Sequence, residues 1–400
     1  MSAGMGIYSD EMDVSYAVDF GRDREPTQKR SRHPEYRRKG SAPARVNGMH
    51  CRRNKRWTWG SGRGARMQNA RAFAGCLAFA VASFAASAFG VPIDYQTIGN
   101  PGNTANTNGW GAVTNVFKMA ATETTNAQYV AFLNSVDAAG NNPNSIYTAS
   151  MGSSANGGIT FNGGAANGAK YSPKAGFESR PVTFVTWFSA ARFANWLNNG
   201  ATGTSSTETG AYTLNNATSG PIVARNTGAQ VFLPSRDEWY KAGFYNGTTY
   251  TTWATNSGTT PTATVTNVTL ANAANYGGSA TPTVGPLAVG SYTNTTSAYG
   301  LYDMIGNVTE MTDTINSGNT SQYQQFSGNW TISSASITQW NATASARFAL
   351  GTNNGGALGF RVAAVPEPGT IALAGMGIAG LAGLDWMKRR KKRLAARQAA

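Results

Sequence analysis

The chain has 400 residues, and its 33 lysine and arginine residues against 19 acidic ones give a net charge of +14. The excess lies at the two ends, because residues 91–384 hold ten basic and eleven acidic residues. This near-neutral central part excludes nucleic acid as its partner, since binding to phosphates needs clustered cations. Cysteine and histidine occur only before residue 91, at Cys51, Cys76, His33 and His50. The central part therefore excludes disulfides, thiol nucleophiles and nitrogen- or sulfur-ligated metals, and no copper, zinc or haem is expected there.

Residues 1–66 carry 15 basic and 7 acidic residues and few large apolar ones, a composition that cannot form a packed core. We expect a disordered basic extension. It is either a translated upstream region behind a misplaced start, or a basic arm that binds nucleic acid or membrane. The first interpretation is favoured, because a basic arm would obstruct the signal that follows it.

Residues 67–90 have the features of a secretory signal peptide. Arg71 precedes an apolar run over 72–86, and small residues follow at Ala86, Ala88 and Gly90. A positive charge, an apolar stretch and a small-residue site in this order predict export followed by cleavage near these three residues.

Residues 91–364 predict one irregular α+β domain with short helices between long loops rich in glycine, asparagine, threonine and serine. Three helices are indicated by an N-cap followed by apolar residues at helical spacing. Their caps are Thr124 or Thr125, Thr186, and Ser235, which forms a capping box with Glu238. Short β-rich runs occur at Arg180–Val185 and Gly359–Ala363.

Five short motifs occur in order along this domain. They combine aromatic residues with glycine, acids and arginine, and they are Ala121–Leu133, Arg180–Leu197, Phe232–Tyr240, Tyr299–Glu310, and Arg347 followed by Gly359–Ala363. Together they resemble the formylglycine-generating enzyme family, also called the sulfatase-modifying-factor domain, over residues 116–364. The resemblance implies a C-type-lectin-like fold with small twisted antiparallel sheets and much irregular chain.

The residues that perform the family's known reactions are missing from this chain. Active members use a pair of cysteines upstream of the final motif to bind copper and oxidise a sulfatase cysteine, but residues 333–346 contain no cysteine. Relatives that make sulfur-containing histidine betaines need histidine-bound iron, and residues 91–364 contain no histidine. The family's Gly-Asn-Val-Trp-Glu-Trp is here Gly306–Met311, without either tryptophan. No catalytic residue is therefore assigned.

A calcium site is implied by the same resemblance. The family holds calcium with side chains at the positions of Asp303 and Glu310 and with carbonyl oxygens at Gly306 and Val308. All four ligands are oxygen atoms, which calcium prefers. The alternative is that Asp303 caps a turn while Glu310 forms an ion pair with Arg347 or Arg361.

Other side chains are expected to have structural or binding roles. Glu123 and Asn126 are predicted to anchor the start of the first helix. Trp330 and Trp340 lie in a polar segment without helical periodicity, so both are candidates for a ligand-binding surface, with burial in the core as the alternative.

The C-terminal residues 365–400 combine Pro366-Glu367-Pro368, an apolar segment over 371–387 and six basic residues at 388–393. An apolar segment followed by cations enters a bilayer and stops at its cytoplasmic face. The segment is short for a permanent span. It resembles the PEP-CTERM sorting signal, which implies a transient inner-membrane anchor in a Gram-negative-type bacterium that makes extracellular polysaccharide, and processing by an exosortase.

The sequence thus predicts an exported protein of the cell envelope or extracellular matrix. Its domain is expected to be a non-catalytic scaffold that binds a glycan or a protein. Its expected partners are the exosortase and export machinery, with extracellular polysaccharide or an envelope protein as the ligand. The alternative is an enzyme of the sulfatase-modifying-factor family with altered oxidative chemistry.

Overall fold

The structure is a computed structural model that describes residues 92–277, 285–332 and 347–366. The basic extension 1–66, the signal region 67–90 with its predicted cleavage residues, and the chain from Glu367 onward lie outside the described residues. So do Trp340 and the side chain of Arg347. Within the described residues, no helix is both long and apolar enough to cross a bilayer.

All three predicted helices are confirmed, together with one further short helix. The helices are α1 (Asn126–Val136), α2 (Ala149–Ser153), α3 (Trp187–Asn198) and α4 (Arg236–Phe244), and a 3-10 turn covers Pro143–Ser145. Thr125, Thr186 and Ser235 are the N-caps of α1, α3 and α4. Ser235 accepts a hydrogen bond from the Glu238 amide and the Glu238 carboxylate accepts one from the Ser235 amide, which completes the predicted capping box.

Twelve short strands form the sheets of the described residues. They are β1 (Tyr95–Ile98), β2 (Phe117–Ala120), β3 (Ile159–Phe161), β4 (Tyr171–Pro173), β5 (Val231–Phe232), β6 (Thr262–Ala263), β7 (Ala273–Ala274), β8 (Thr309–Asn316), β9 (Asn319–Phe326), β10 (Arg347–Leu350), β11 (Leu358–Gly359) and β12 (Ala363–Ala364). One four-stranded sheet has the order β1-β2-β12-β5 and is antiparallel. The other has the order β10-β9-β8-β11, in which only the β8–β11 pair is parallel. Two small two-stranded sheets, β3-β4 and β6-β7, complete the set.

The core contains an aromatic cluster between α1, α3 and the segment that joins β11 to β12. Tyr129 and Phe132 of α1 face Phe193 of α3, with ring centroids 5.9 and 5.5 Å apart. Phe360 lies edge-on to Phe193 at 5.4 Å. Because large rings at these distances contribute both buried area and favourable ring geometry, the cluster fixes the two helices beside the last strands.

The turn before β8 depends on glycine at position 306. Gly306 has φ +79°, a conformation that glycine adopts without steric cost. A Cβ atom at this position would also collide with the carbonyl oxygen of Asn275, which accepts a hydrogen bond from the Asn307 amide at 2.9 Å. The positive φ and the close approach to Asn275 therefore both require glycine just before β8, the strand at which the second four-stranded sheet begins.

We predict that Gly306→Ala lowers the free energy of unfolding by more than about 3 kcal/mol, because left-handed strain and a backbone collision add together. Gly300→Ala is the matched control. Gly300 has φ +80°, but its Cβ would meet only side-chain atoms of Gln96 at 3.7 Å or more. The control should therefore cost about 1 kcal/mol in urea unfolding. Equal losses in the two variants would contradict the close approach at Asn275.

Candidate functional site

The motif that carries the predicted calcium ligands forms a tight turn leading into β8. Asp303, Gly306 and Asn307 all have positive φ values, of 56°, 79° and 56°. Asparagine and aspartate tolerate this conformation better than other residues with a side chain. Ser327 holds the turn, because its hydroxyl donates to the Gly306 carbonyl at 2.9 Å and its own carbonyl accepts from the Gly306 amide at 2.9 Å.

Glu310, the second residue of β8, forms a buried ion pair with Arg361. The Arg361 Nε and Nη2 atoms donate to the two carboxylate oxygens, each at 2.6 Å, and both side chains are 0% exposed. Two parallel charge-assisted hydrogen bonds are the strongest arrangement available to arginine and a carboxylate. Of the two partners considered for Glu310, the structure shows Arg361.

The remaining donors of Arg361 bind backbone carbonyl groups. Nη1 donates to the carbonyls of Ala120 and Ala121 at 3.1 and 3.3 Å, and Nη2 donates to that of Tyr302 at 3.0 Å. All five guanidinium N–H groups therefore have an acceptor. Since Ala120 ends β2 and Glu310 belongs to β8, this one side chain joins the two four-stranded sheets.

Trp239 of α4 completes the surroundings of Glu310. Its indole Nε1 donates to Glu310 Oε2 at 2.8 Å, and its ring stacks on Phe326 of β9 with centroids 4.7 Å apart. Both carboxylate oxygens are thus bound by N–H donors, and the indole closes this side of the cluster to water.

A second acidic group lies beside the ion pair. Asn307 Nδ2 donates to Glu123 Oε1 at 3.0 Å, while Asn307 Oδ1 accepts from the Leu287 amide at 2.9 Å. Asp303 Oδ2 accepts from the Gly290 amide at 2.6 Å, and the Asp303 carboxyl also interacts with that of Glu123. Glu123 therefore does not anchor the first helix as predicted. It reaches the turn before β8 instead, and only Asn126 anchors α1, by donating to the carbonyls of Phe177 and Arg180.

Three acidic side chains consequently share one guanidinium inside the protein. Burial raises the pKa of Glu123 well above its usual value, and the negative charge of Asp303 raises it further. Burial also raises the pKa of Asp303 to about 6, although the Gly290 amide and Arg361 oppose the shift. No donor of the described residues reaches Glu123 Oε2. The Asp303 charge opposes the ionisation of Glu123 beside it, so burial and this neighbour both favour the protonated form of the Glu123 carboxyl.

These contacts do not fit a calcium ion at the predicted ligands. Both Glu310 oxygens are bound by Arg361 and Trp239, and the Gly306 carbonyl accepts the Ser327 hydroxyl. The charge of Glu310 that would attract a calcium ion is already balanced by the guanidinium of Arg361. Across the described ranges, no group of three or more histidine, cysteine, aspartate or glutamate residues is arranged to hold a metal. The calcium site stays a prediction, and the geometry favours the ion pair that was its alternative.

Of the two roles considered for Trp330, a ligand-binding surface or burial in the core, the structure shows burial. Trp330 is 8% exposed, and its amide donates to the Asn307 carbonyl at 3.2 Å, because the chain after β9 folds back over the turn before β8. Trp340, the other predicted surface residue, lies outside the described residues.

Sequence reasoning missed Glu123, Asn307 and Trp239 as members of this cluster. The only available signal was their position within the family-like motifs, since each contact joins distant parts of the chain. The four ionisable members are 0 to 8% exposed, so the cluster offers no surface to a substrate. It acts as an internal brace between β2, β8 and the loop at Tyr302.

We predict that Glu310→Gln lowers the free energy of unfolding by about 3 to 5 kcal/mol, because it leaves the Arg361 charge buried without a counter-ion. Arg236→Gln is the matched control. Arg236 pairs with Asp237 at 3.0 Å, but the two side chains are 30% and 33% exposed. A solvated pair contributes about 0 to 1 kcal/mol. Urea unfolding of both variants checks this, and similar losses would contradict a dominant buried pair.

We predict that stability falls as pH rises from about 4 to about 6, because the folded protein binds a proton at Asp303 more tightly than the unfolded chain does. Asp303→Asn keeps an oxygen acceptor for the Gly290 amide but cannot ionise. The melting temperature of the wild type should fall relative to that of the variant by on the order of 5 °C across this window. Parallel curves for the two proteins would rule out a raised Asp303 pKa.

Comparison with known proteins identifies two segments. The model of the sulfatase-modifying factor enzyme 1-like domain matches residues 99–365, and that of the PEP-CTERM protein-sorting motif matches residues 364–391. No curated protein matches the chain.

Solved structures with a similar arrangement include three proteins of low sequence identity. Variable protein 1 of Treponema denticola is 20% identical, with a TM-score of 0.42 over 68% of this chain and 95% of that one. CarF is 19% identical, with a TM-score of 0.42 over 69% and 100% of the two chains. PvdO from Pseudomonas aeruginosa is 16% identical, with a TM-score of 0.35 over 69% and 92%.

The predicted fold class is confirmed, since the described residues form an α+β domain of short helices and small, mainly antiparallel sheets. The first family model covers more than half of the chain. The chain therefore belongs to the sulfatase-modifying factor enzyme 1-like family, and it carries a PEP-CTERM sorting motif after that domain.

Proposed function

We propose that this exported protein is a non-catalytic binding scaffold of the bacterial cell envelope. The observation that carries the proposal is the composition of the family domain, because residues 99–365 contain neither cysteine nor histidine. The oxidation of a sulfatase cysteine in this family uses a cysteine pair with copper. A domain without these ligands retains the fold but lacks the groups that the reaction needs.

The geometry of the acidic cluster supports the same proposal. Glu310 and Arg361 are fully buried and bind each other, and Trp239 covers the carboxylate. Glu123 is buried as well and faces Asn307 and Asp303. These four ionisable groups lie in the family-like motifs, and in this chain they contact each other inside the protein instead of facing a cleft.

The PEP-CTERM sorting motif supports a location in the cell envelope. A PEP-CTERM motif implies exosortase-dependent processing at the envelope of a Gram-negative-type bacterium. We propose that the processed domain remains in the envelope or extracellular matrix, with a polysaccharide or an envelope protein as its ligand. A scaffold there needs a stable fold and a binding surface rather than a reactive centre.

The reaction test uses a peptide with the sulfatase sequence Cys-x-Pro-x-Arg. We predict that the purified protein, supplied with copper and oxygen, leaves this cysteine unchanged, because the chain offers no thiolate pair in its family domain. Mass spectrometry of the peptide is the readout, and a cysteine-containing member of the family is the positive control. Formylglycine in the peptide after incubation with this protein would overturn the non-catalytic assignment.

A further inference from the structure

An open cavity of about 460 Å³ lies between two short segments of chain, residues 104–107 and 240–252, and none of its lining residues belongs to the buried cluster. Its volume is in the range of small-molecule sites in proteins. The lining consists of six threonines, three tyrosines, one asparagine and one alanine. Hydroxyl groups and aromatic rings therefore dominate its surface.

Two of the tyrosines are held in place by a tight turn. Tyr245 and Tyr250 pair as an antiparallel bridge, and their ring centroids are 5.0 Å apart. The Asn246 side-chain oxygen closes the turn between them by accepting from the Thr248 amide, the Thr248 hydroxyl and the Thr249 amide, at 2.9 to 3.0 Å. Rings that are fixed before binding lose little conformational entropy when a ligand arrives.

The tyrosine rings are also anchored to the rest of the domain. The Tyr250 hydroxyl accepts from Asn103 Nδ2 at 2.7 Å and donates to the Thr104 carbonyl at 3.1 Å, which ties one wall of the cavity to the other. Behind it, the buried Tyr240 ring lies 5.5 Å from that of Tyr250 and stacks on Phe244 at 4.5 Å. The Tyr245 hydroxyl, by contrast, makes no hydrogen bond to a described residue, so it is available to a ligand.

The cavity carries no formal charge. Within the part of the chain that the structure describes, its lining includes no aspartate, glutamate, lysine or arginine. Lys241 belongs to the same stretch of sequence, but it is fully buried and its Nζ donates to the Asn100 carbonyl at 2.8 Å. A carboxylate, sulfate or phosphate would lose its hydration here without gaining a cation.

From this chemistry we infer that the cavity binds a neutral saccharide. A sugar ring has an apolar C–H face that packs on a tyrosine ring, and hydroxyl groups that both donate to and accept from threonine, tyrosine and asparagine side chains. The walls supply both features and no charge. The inference rests on the proposed binding function and names the class of its ligand.

The test is calorimetric titration of the purified full chain with neutral oligosaccharides that a glycan array selects. Tyr245→Leu removes an aromatic face, and Thr252→Val removes an exposed hydroxyl at nearly constant volume. We expect Tyr245→Leu to weaken binding by about tenfold and Thr252→Val to weaken it by about three- to tenfold. Tyr147→Leu is the matched control, since Tyr147 is a half-buried tyrosine packed on Phe161 and Tyr171 and does not line the cavity.

The outcomes separate this inference from the function on which it rests. Unchanged affinity in the two cavity variants, with melting temperatures like that of the wild type, would overturn the cavity assignment and leave the scaffold intact. Binding only to acidic sugars or to peptides would overturn the neutral-saccharide class. If no glycan binds at all, the neutral-saccharide class is overturned as well. The non-catalytic assignment itself fails only in the peptide oxidation assay.

Discussion

The side chains of Arg361 and Glu310 are completely buried, and their hydrogen bonds to the surrounding groups compensate for the lost hydration. Desolvating two ions costs several kcal/mol each, and their attraction offsets this only when the geometry is close and every remaining donor is bound. Here the guanidinium uses all five N–H groups, and Trp239 supplies a third donor to the carboxylate. Because the acceptors come from β2, β8 and the loop at Tyr302, this pair helps to fix the relative position of the two large sheets.

The same buried contacts involve acidic and basic side chains of the family-like motifs. Glu123, Asp303, Glu310 and Arg361 of the family-like motifs interact with each other inside the protein, and burial raises the pKa values of Glu123 and Asp303. The accessible cavity lies elsewhere and is neutral, with tyrosine and threonine walls. A buried set of paired charges and a separate uncharged cavity agree with the proposed binding scaffold.

Local features of this fold could be predicted from the sequence, and distant contacts could not. The caps at Thr125, Thr186 and Ser235 follow from side chains that reach only three residues along the chain. The choice of Arg361 for Glu310 spans 51 positions, and the contact of Asn307 with Glu123 spans 184. Trp330 is buried because the chain folds back over a turn that no periodicity reveals. Composition, by contrast, needs no contact to be known: the absence of cysteine and histidine from residues 99–365 is read directly from the sequence.

The strand β12 occupies an interior position of its sheet, between β2 and β5, although it is formed by Ala363 and Ala364. Its partners precede it by more than 100 and more than 200 residues. Contacts of such long separation form late, because the intervening chain must first be brought together. The sheet therefore stays incomplete until Ala363 and Ala364, where the sorting motif begins, have joined it. The strand that completes this sheet and the start of the sorting motif thus lie on the same few residues.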